Sequence, residues 1–329
     1  MPYLTPSPDL TLRPSTEPLS AGNERIALTV GPVLYHWSRA ALMHFYAAVA
    51  DSPADTVVLG EAVCARRREL RLDDWLALGR ELAAAGKEVV LVAQTLIESD
   101  AELRLLERQG DQQDFAVEAG DASALQLLAG RLPLVLGPHL NIYSRAALQE
   151  HADLGASRWV APVELALDAL ALVNPPQDPV RTPQGRPFAT EAWGFGRLPL
   201  AFSARCFTAR HHRLPRDDCA FRCLADADGL LLSSTEGQPF LVLNGTQTQS
   251  AGVQTLLDDG AALRAAGVSR LRLSPCAQGF CQVLDDFEAV LNAGAAAAGR
   301  TAGWSALGVP GPLCNGYAHR RPGMAWSAA

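Results

Sequence analysis

Residues 26–59 read IALTVGPVLYHWSRAALMHFYAAVADSPADTVVL. A short apolar run at 26–30, a helical stretch at 38–49 and a second apolar run at 56–59 make one strand–helix–strand unit. The unit recurs downstream. A helix is expected over 72–85. Strand and helix pairs are then expected at 88–93 and 101–108, 115–118 and 122–129, 134–136 and 145–152, and 158–161 and 165–172. Gly86, Gly110, Gly130 and Gly155 stand where helix C-caps belong. Strands that alternate this regularly with helices imply a parallel sheet.

The rhythm breaks at residues 174–190, which hold five prolines and read as a long loop. A seventh strand is expected at 198–202, followed by a cysteine-bearing loop and a short extra strand at 240–243. A helix at 253–265, an eighth strand at 270–273 and an eighth helix at 283–291 complete the series. Eight units favour an α/β fold of the closed (β/α)8, TIM-like class, somewhat irregular, over an open doubly wound sheet. Neither a G-x-G-x-x-G fingerprint nor a P-loop occurs. Residues 24–326 read as a single barrel domain, and residues 1–23 as an N-terminal extension.

The chain has 329 residues, 48% of them hydrophobic, enough for a large core in one barrel. Its net charge of −7 carries no long run of one sign and argues against a protein built to bind nucleic acid. No apolar stretch is long enough for a transmembrane helix. Residues 1–23 are polar, without the basic start and apolar middle of a signal peptide. A cytoplasmic address is expected, where thiols stay reduced. Seven cysteines in such a chain point to metal or redox chemistry before disulfides.

In barrels of this class the active site lies at the C-terminal ends of the strands. The residues that follow the expected strands include Cys64, Glu118, His139, Asn141, Glu164, Arg205, Cys206 and Cys276. Cys64 and Cys206, far apart in sequence, thus belong to one face. Cys206, Cys219 and Cys223 form a C-x12-C-x3-C pattern, and with Cys64 they supply four thiolates. Soft thiolate sets select zinc or iron–sulfur centres. Structural zinc sites use paired short spacings, a habit this pattern fits less well. Spacing leaves an iron–sulfur cluster, a zinc site and unligated cysteines all open. Cys276, Cys281 and Cys314 are read as small buried hydrophobes.

The loop is also basic, with Arg205, Arg210, Arg213, Arg216 and Arg222 around the cysteines and His211 and His212 nearby. Guanidinium groups there would offset a negative cluster or bind an anionic substrate, and a solvated basic loop is the plain alternative. Glu118, His139, Asn141, Glu164 and Arg205 are the candidates for a substrate-facing set, with a hydrogen-bonded polar network at the barrel top as the alternative. Adjacent histidines point apart, so His211 and His212 are not assigned as ligands.

At several of these segments the chain resembles the collagenase-like peptidase superfamily, and within it the ubiquinone-biosynthesis proteins of the UbiV type. The resemblance is carried by Gly31-Pro32-Val33-Leu34, Glu61-Ala62-Val63-Cys64-Ala65-Arg66-Arg67 and Val163-Glu164-Leu165. It continues in Phe202-Ser203-Ala204-Arg205-Cys206-Phe207-Thr208-Ala209-Arg210, Leu214-Pro215-Arg216-Asp217-Asp218-Cys219, Leu243-Asn244-Gly245-Thr246-Gln247-Thr248 and Cys314-Asn315-Gly316-Tyr317. It implies a [4Fe–4S] cluster held by Cys64, Cys206, Cys219 and Cys223. It further implies a role in O2-independent hydroxylation of the ubiquinone ring precursor, in a heterodimer with a homologous UbiU-like subunit, with an organic anion, prephenate, as oxygen donor. A cluster or zinc that serves only as a scaffold is the alternative. The peptidase relatives have a signature resembling E-x-F-x-H-G-A-[LM]-C. Here Phe195 stands at the histidine position and Pro199 at a cysteine position, and neither side chain transfers a proton or attacks a carbonyl. Peptidase activity is therefore not expected.

Overall fold

The computed structural model describes residues 25–327. The extension read over residues 1–23 lies outside the described residues. Seven strands come first: β1 (Ala27–Val30), β2 (Thr56–Leu59), β3 (Glu88–Val92), β4 (Ala116–Ala119), β5 (Leu134–Leu136), β6 (Ala156–Val160) and β7 (Ala189–Phe202). Three antiparallel strands follow, β8 (Leu230–Ser233), β9 (Pro239–Asn244) and β10 (Gln247–Thr255), then β11 (Val268–Leu273) and the short β12 (Leu313–Cys314). Strands β1 to β7 pair in chain order, all parallel, and β11 closes the circle between β7 and β1. The result is the expected closed eight-stranded parallel barrel, with helices between its strands.

Six helices link the first seven strands: α1 (Arg39–Ala50), α2 (Leu72–Ala84), α3 (Asp100–Asp111), α4 (Ala122–Leu128), α5 (Arg145–Asp153) and α6 (Leu167–Val173). Local chemistry fixes several of their starts. Ser38, Asp121 and Ser144 each accept a hydrogen bond from a first-turn N–H, and Ser99 forms a reciprocal capping box with Glu102. After the short α7 (Phe207–His211), α8 (Gly260–Ala265) leads into β11, and α9 (Phe280–Phe287) continues into a π turn over Glu288–Asn292.

Strand alternation divides the core into two layers. Leu28, Val57, Leu91, Val117, Leu136, Trp159 and Leu271 point outward against the helices. Val58, Val90, Ala116, Val135, Val160 and Trp193 fill the barrel interior. Each such burial stabilises by about 1.5–3 kcal/mol relative to exposure. The interior also carries charge. Arg272 forks onto Glu118 at 2.9 and 2.6 Å, and its Nε donates to Glu191 at 2.7 Å. Arg158 and Arg270 meet Glu88 at 2.5 and 2.9 Å. Buried charges survive when paired in this way.

The seventh strand departs from the sequence reading. It starts at Ala189, inside the segment read as loop, and its first half is the barrel strand. Residues 198–202, expected to be that strand, belong to its second half, which leaves the barrel and pairs antiparallel with β10. The break falls at Gly196, with φ 114°, where a Cβ would lie 2.6 Å from that of Ser274. The helix expected over 253–265 is also corrected. Residues 253–255 finish β10, and only Gly260–Ala265 is helical. The four strands β7, β10, β9 and β8 thus form a sheet extension that carries the cysteine loop.

Candidate functional site

Cys64 lies in the loop after β2. The Glu61 carboxylate accepts the N–H groups of Val63 and Cys64 at 2.9 and 3.0 Å, and the Thr246 hydroxyl donates to the Val63 carbonyl at 2.5 Å. These bonds fix the backbone on both sides of the thiol. Cys206 caps α7, its sulfur accepting from the Ala209 N–H at 3.4 Å. That helix is tied to the β9–β10 turn. The Phe207 N–H donates to the Gly245 carbonyl at 2.8 Å, and the Gly245 N–H donates to the Thr208 hydroxyl at 2.9 Å. Gly245 and Thr246 make this two-residue turn between the paired Asn244 and Gln247, with φ 64° at the glycine. A Cβ there would come within 2.8 Å of the Arg67 guanidinium.

Beyond α7 the chain runs through two 3-10 turns, Arg216–Asp218 and Arg222–Ala225, which carry Cys219 just after the first and Cys223 within the second. Neither turn has a buried residue, and Arg213, Ala220 and Phe221 adopt positive φ. Polar ties hold the loop in place. Arg66 donates to Asp217, and Arg216 donates to the Ala204 carbonyl at 2.6 Å and pairs with Glu98.

Hydrogen bonds join the two cysteine-bearing segments: the Cys64 loop and α7 both bond to residues 245–246, and Arg66 bonds to Asp217 just before Cys219. Burial pushes the thiols of Cys64, Cys206 and Cys223 up, and Arg67 opposes that rise at Cys64 and Cys223. His36 adds a contact, its Nδ1 lying 3.5 Å from the Cys223 sulfur and its Nε2 3.4 Å from Glu69. Burial, then the Arg67 charge, holds this histidine below its ordinary range. All seven cysteines are free thiols. Cys64, Cys206, Cys219 and Cys223 thus lie on two segments bonded to one another, and thiolates as a class suit a soft metal. Among the described residues, no three His, Cys, Asp or Glu side chains are gathered tightly enough to hold a single metal ion.

The other candidates are spread across the barrel top. Glu118 is buried in the barrel on Arg272, as part of the interior ion network. His139 is half-buried, with its ring edge-on to Phe202 at 4.8 Å. Burial, then the Arg272 charge, lowers its pKa to about 4. Asn141 is exposed at the left-handed end of the Pro138–Leu140 turn. Glu164 is exposed and accepts the Tyr143 hydroxyl proton in a hydrogen bond. Arg205 is exposed beside Cys206, its backbone N–H donating to the Ser203 hydroxyl. His139 and Arg205 flank Phe202 and Cys206 at the end of β7, whereas the Tyr143–Glu164 pair lies on the rim.

Of the remaining cysteines, Cys276 and Cys314 are buried as read, and Cys281 is half-buried. Phe195 packs among Phe280, Phe287 and Trp304 in the outer core, and Pro199 sits opposite Gln249 in the extension. The places of Arg67, Glu61, His36 and the Gly245–Thr246 turn were not legible in the sequence. Arg67 and Glu61 stand in the same short segment as Cys64, the one local signal that pointed to them.

Solved structures that resemble the chain include the following two. The U32 peptidase Mk0906 shares 11% identity over 79% of this chain and 96% of its own, with a TM-score of 0.41. The spore cortex-lytic enzyme SleL of Bacillus megaterium QM B1551 shares 11% identity over 82% of this chain and 76% of its own, with a TM-score of 0.40. No helix among the described residues is long and apolar enough to cross a membrane. The model of peptidase family U32 matches residues 41–273, well over half of the sequence, and the chain belongs to that family.

Proposed function

We propose that the protein is a cytoplasmic iron–sulfur subunit of an O2-independent hydroxylase. In this reading Cys64, Cys206, Cys219 and Cys223 hold a [4Fe–4S] cluster. A UbiU-like homologous subunit completes the enzyme, and a ubiquinone ring precursor is hydroxylated at the expense of an anionic organic donor such as prephenate. The observation that carries the proposal is that the loop of Cys64 and the segment from Cys206 to Cys223, distant in sequence, are tied together through the Gly245–Thr246 turn and the Arg66–Asp217 bridge, with all four cysteines free thiols. The family alone would suggest proteolysis. At the two signature positions, however, Phe195 is core and Pro199 is a strand residue, so no proton-transfer pair stands there.

A bound cluster of this type supplies one-electron chemistry. Four cysteine ligands leave no open iron, so substrate contacts fall to side chains. Arg205 is exposed beside Cys206, and a guanidinium matches a carboxylate-bearing donor in two-pronged geometry. His139, kept neutral near physiological pH, offers a hydrogen bond without charge at the barrel mouth. Glu118 is already held by Arg272 and orients that guanidinium instead of meeting substrate. Asn141 and Glu164 supply polar groups at the rim.

A second reading has one specific observation in its favour. The turns at 216–218 and 222–225 bury no residue, so a metal centre would be the main anchor of the loop and serve as scaffold. Zinc would suffice for that duty. Anaerobic purification with iron, sulfide and zinc assays, with and without the partner subunit, separates the readings. Iron and sulfide near four per chain, lost on changing any of the four cysteines to Ala and retained in Cys276→Ala, is the expected result. Arg205→Met should keep the cluster and abolish hydroxylation. A full cluster in Cys64→Ala would overturn the ligand set. A cluster whose redox state never changes in turnover would favour the scaffold.

A further inference from the structure

Arg197 follows the break of β7 at Gly196 and is 6% exposed. A guanidinium stays charged even when buried, and a buried charge needs an opposite one close by. The other buried arginines have theirs: Arg67 has Glu61, Arg158 has Glu88 and Arg272 has Glu118. Among the described residues Arg197 makes no ion pair. Its Nη1 donates to two neutral main-chain carbonyls, those of Ala251 and Ser250, where β10 bulges between Gln249 and Val253. Its Nε is buried without a partner, and its Nη2 makes no hydrogen bond among the described residues. The neighbouring amides are also short of partners. Gln249, just before those carbonyls, is fully buried, with neither Nε2 nor Oε1 bonded. Gln247, on the same face of β10, is fully buried too; its Oε1 accepts from Asn244 at 3.1 Å and its Nε2 is unpartnered. Val242 of β9 stands opposite Gln249, and Gly229 packs on Val242, with the Tyr35 ring 3.6 Å from where a Cβ would lie. Asp228, next to that glycine, is half-buried, and its Oδ1 accepts the Ala277 N–H at 2.8 Å.

We propose that Arg197 and Gln249, with Gln247 beside them, form a binding site for a small organic carboxylate. The free edge of the guanidinium, Nε with Nη2, is a fork that takes both oxygens of one carboxylate. The Nη1 bonds to Ser250 and Ala251 fix the direction of that fork. The amide N–H groups of Gln249 and Gln247 are donors for the remaining lone pairs. A bound carboxylate thus supplies the missing counter-charge and partners for the orphaned amides together. In the signature of the peptidase relatives the position of Arg197 is an alanine, so the guanidinium belongs to this chain and not to that pattern. The site does not depend on whether the four cysteines hold a metal.

The test is titration calorimetry of the full-length protein with acetate and benzoate, which bracket the class in size, at fixed ionic strength. Acetamide and benzamide are the uncharged controls. Saturable binding of at least one carboxylate, and of neither amide, is the expected result. Arg197→Lys keeps the charge and loses the fork, and should weaken binding about tenfold or more. Gln249→Leu removes an amide that has no protein partner. Without the probe it should therefore keep or raise the thermal midpoint, and it should bind the carboxylate several-fold more weakly. This second variant decides the matter should the lysine variant not fold. If neither carboxylate binds, water alone fills the site and the proposal falls. Binding unchanged in both variants would place the anion elsewhere and overturn it too. No carboxylate bound, with Asp228→Asn as destabilised as Arg197→Lys, would make Asp228 the counter-charge instead. Metal content, measured on the same preparations, should match wild type in both variants, so a failure here leaves the reading of the cysteines standing.

Discussion

Arg66 donates to the Asp217 carboxylate at 3.0 Å and to the Asp217 main-chain carbonyl at 2.7 Å, joining the loop of Cys64 to the turn that precedes Cys219. The two segments lie 151 residues apart in the chain. Asp217 is almost fully exposed, so the ion pair adds at most about 1 kcal/mol to global stability. Its value is positional. Arg66→Ala should leave the thermal midpoint within a degree or two and lower iron retention in dilute chelator by several-fold. Asp217→Asn should do less, because the main-chain acceptor survives. Equal retention in wild type and Arg66→Ala would show that the bridge does not hold the loop.

In the barrel interior, Arg272 serves two carboxylates at once. Removing one member of a buried ion pair costs about 3–5 kcal/mol, because the partner is left charged and dry. Arg272→Met strands Glu118 and leaves Glu191 only the Arg158 guanidinium at 3.8 Å, and should reach that range. Glu118→Gln leaves the Glu191 bond in place and should cost less. Chemical denaturation of the three proteins checks the order. A loss below about 1 kcal/mol in Arg272→Met would mean that water reaches the site and replaces the guanidinium.

This ion network also explains where the sequence was legible and where it was not. Strands Thr56–Leu59 and Leu134–Leu136 coincide with their expected positions, since a run of aliphatic residues buried on both faces needs no partner to be recognised. The first half of β7 carries Glu191, Gly194 and Gly196, an unpromising strand composition. It becomes a barrel strand because Arg272 of β11, distant in sequence, neutralises Glu191. Residues 253, 256, 257 and 263 are apolar at helical spacing, yet Val253 to Thr255 pair with β7 instead. Cys64 and Cys206 could be assigned to one face from barrel geometry alone. Arg67 could not be placed, because its surroundings come from Asn244 at the end of β9 and Gly245 in the turn after it, another part of the chain.

His139 supplies a pH dependence whose sign follows from its environment. Its folded pKa is lowered from 6.5 to about 4, by burial and then by the Arg272 charge. The unfolded chain therefore takes up this proton first as the pH drops. The contribution of the group to stability is complete above pH 6.5 and is lost as the pH falls toward 4, reaching at most about 3 kcal/mol. His139→Gln should flatten the stability curve in that window and match wild type in slope above it. Urea titrations at half-unit steps of pH check this. Parallel curves for the two proteins between pH 4 and 6.5 would show that solvent reaches the ring.

The last prediction concerns the cysteine loop without its metal. Ligation requires deprotonated sulfur and would contribute directly to ordering the segment that carries the ligands. Between Cys206 and Cys223 the chain has one short helix, two turns without buried residues and three positive-φ residues, so beyond α7 only the polar ties of Arg216 and Asp217 resist its opening. The barrel stands apart, because Val57, Leu91 and Val117 are buried in the apolar core between strands and helices. Air exposure of anaerobically prepared protein should therefore raise hydrogen exchange across residues 206–223 by an order of magnitude or more. Exchange in β2 and β4 should stay within about twofold. The Gly245 and Thr246 amides are the informative boundary. They belong to the turn that α7 and Cys64 share, so they should lose protection only partly, held by Arg67 through Asn244. Loss of protection throughout the barrel would mean that the centre supports the whole fold, and the scaffold reading would then displace the redox one.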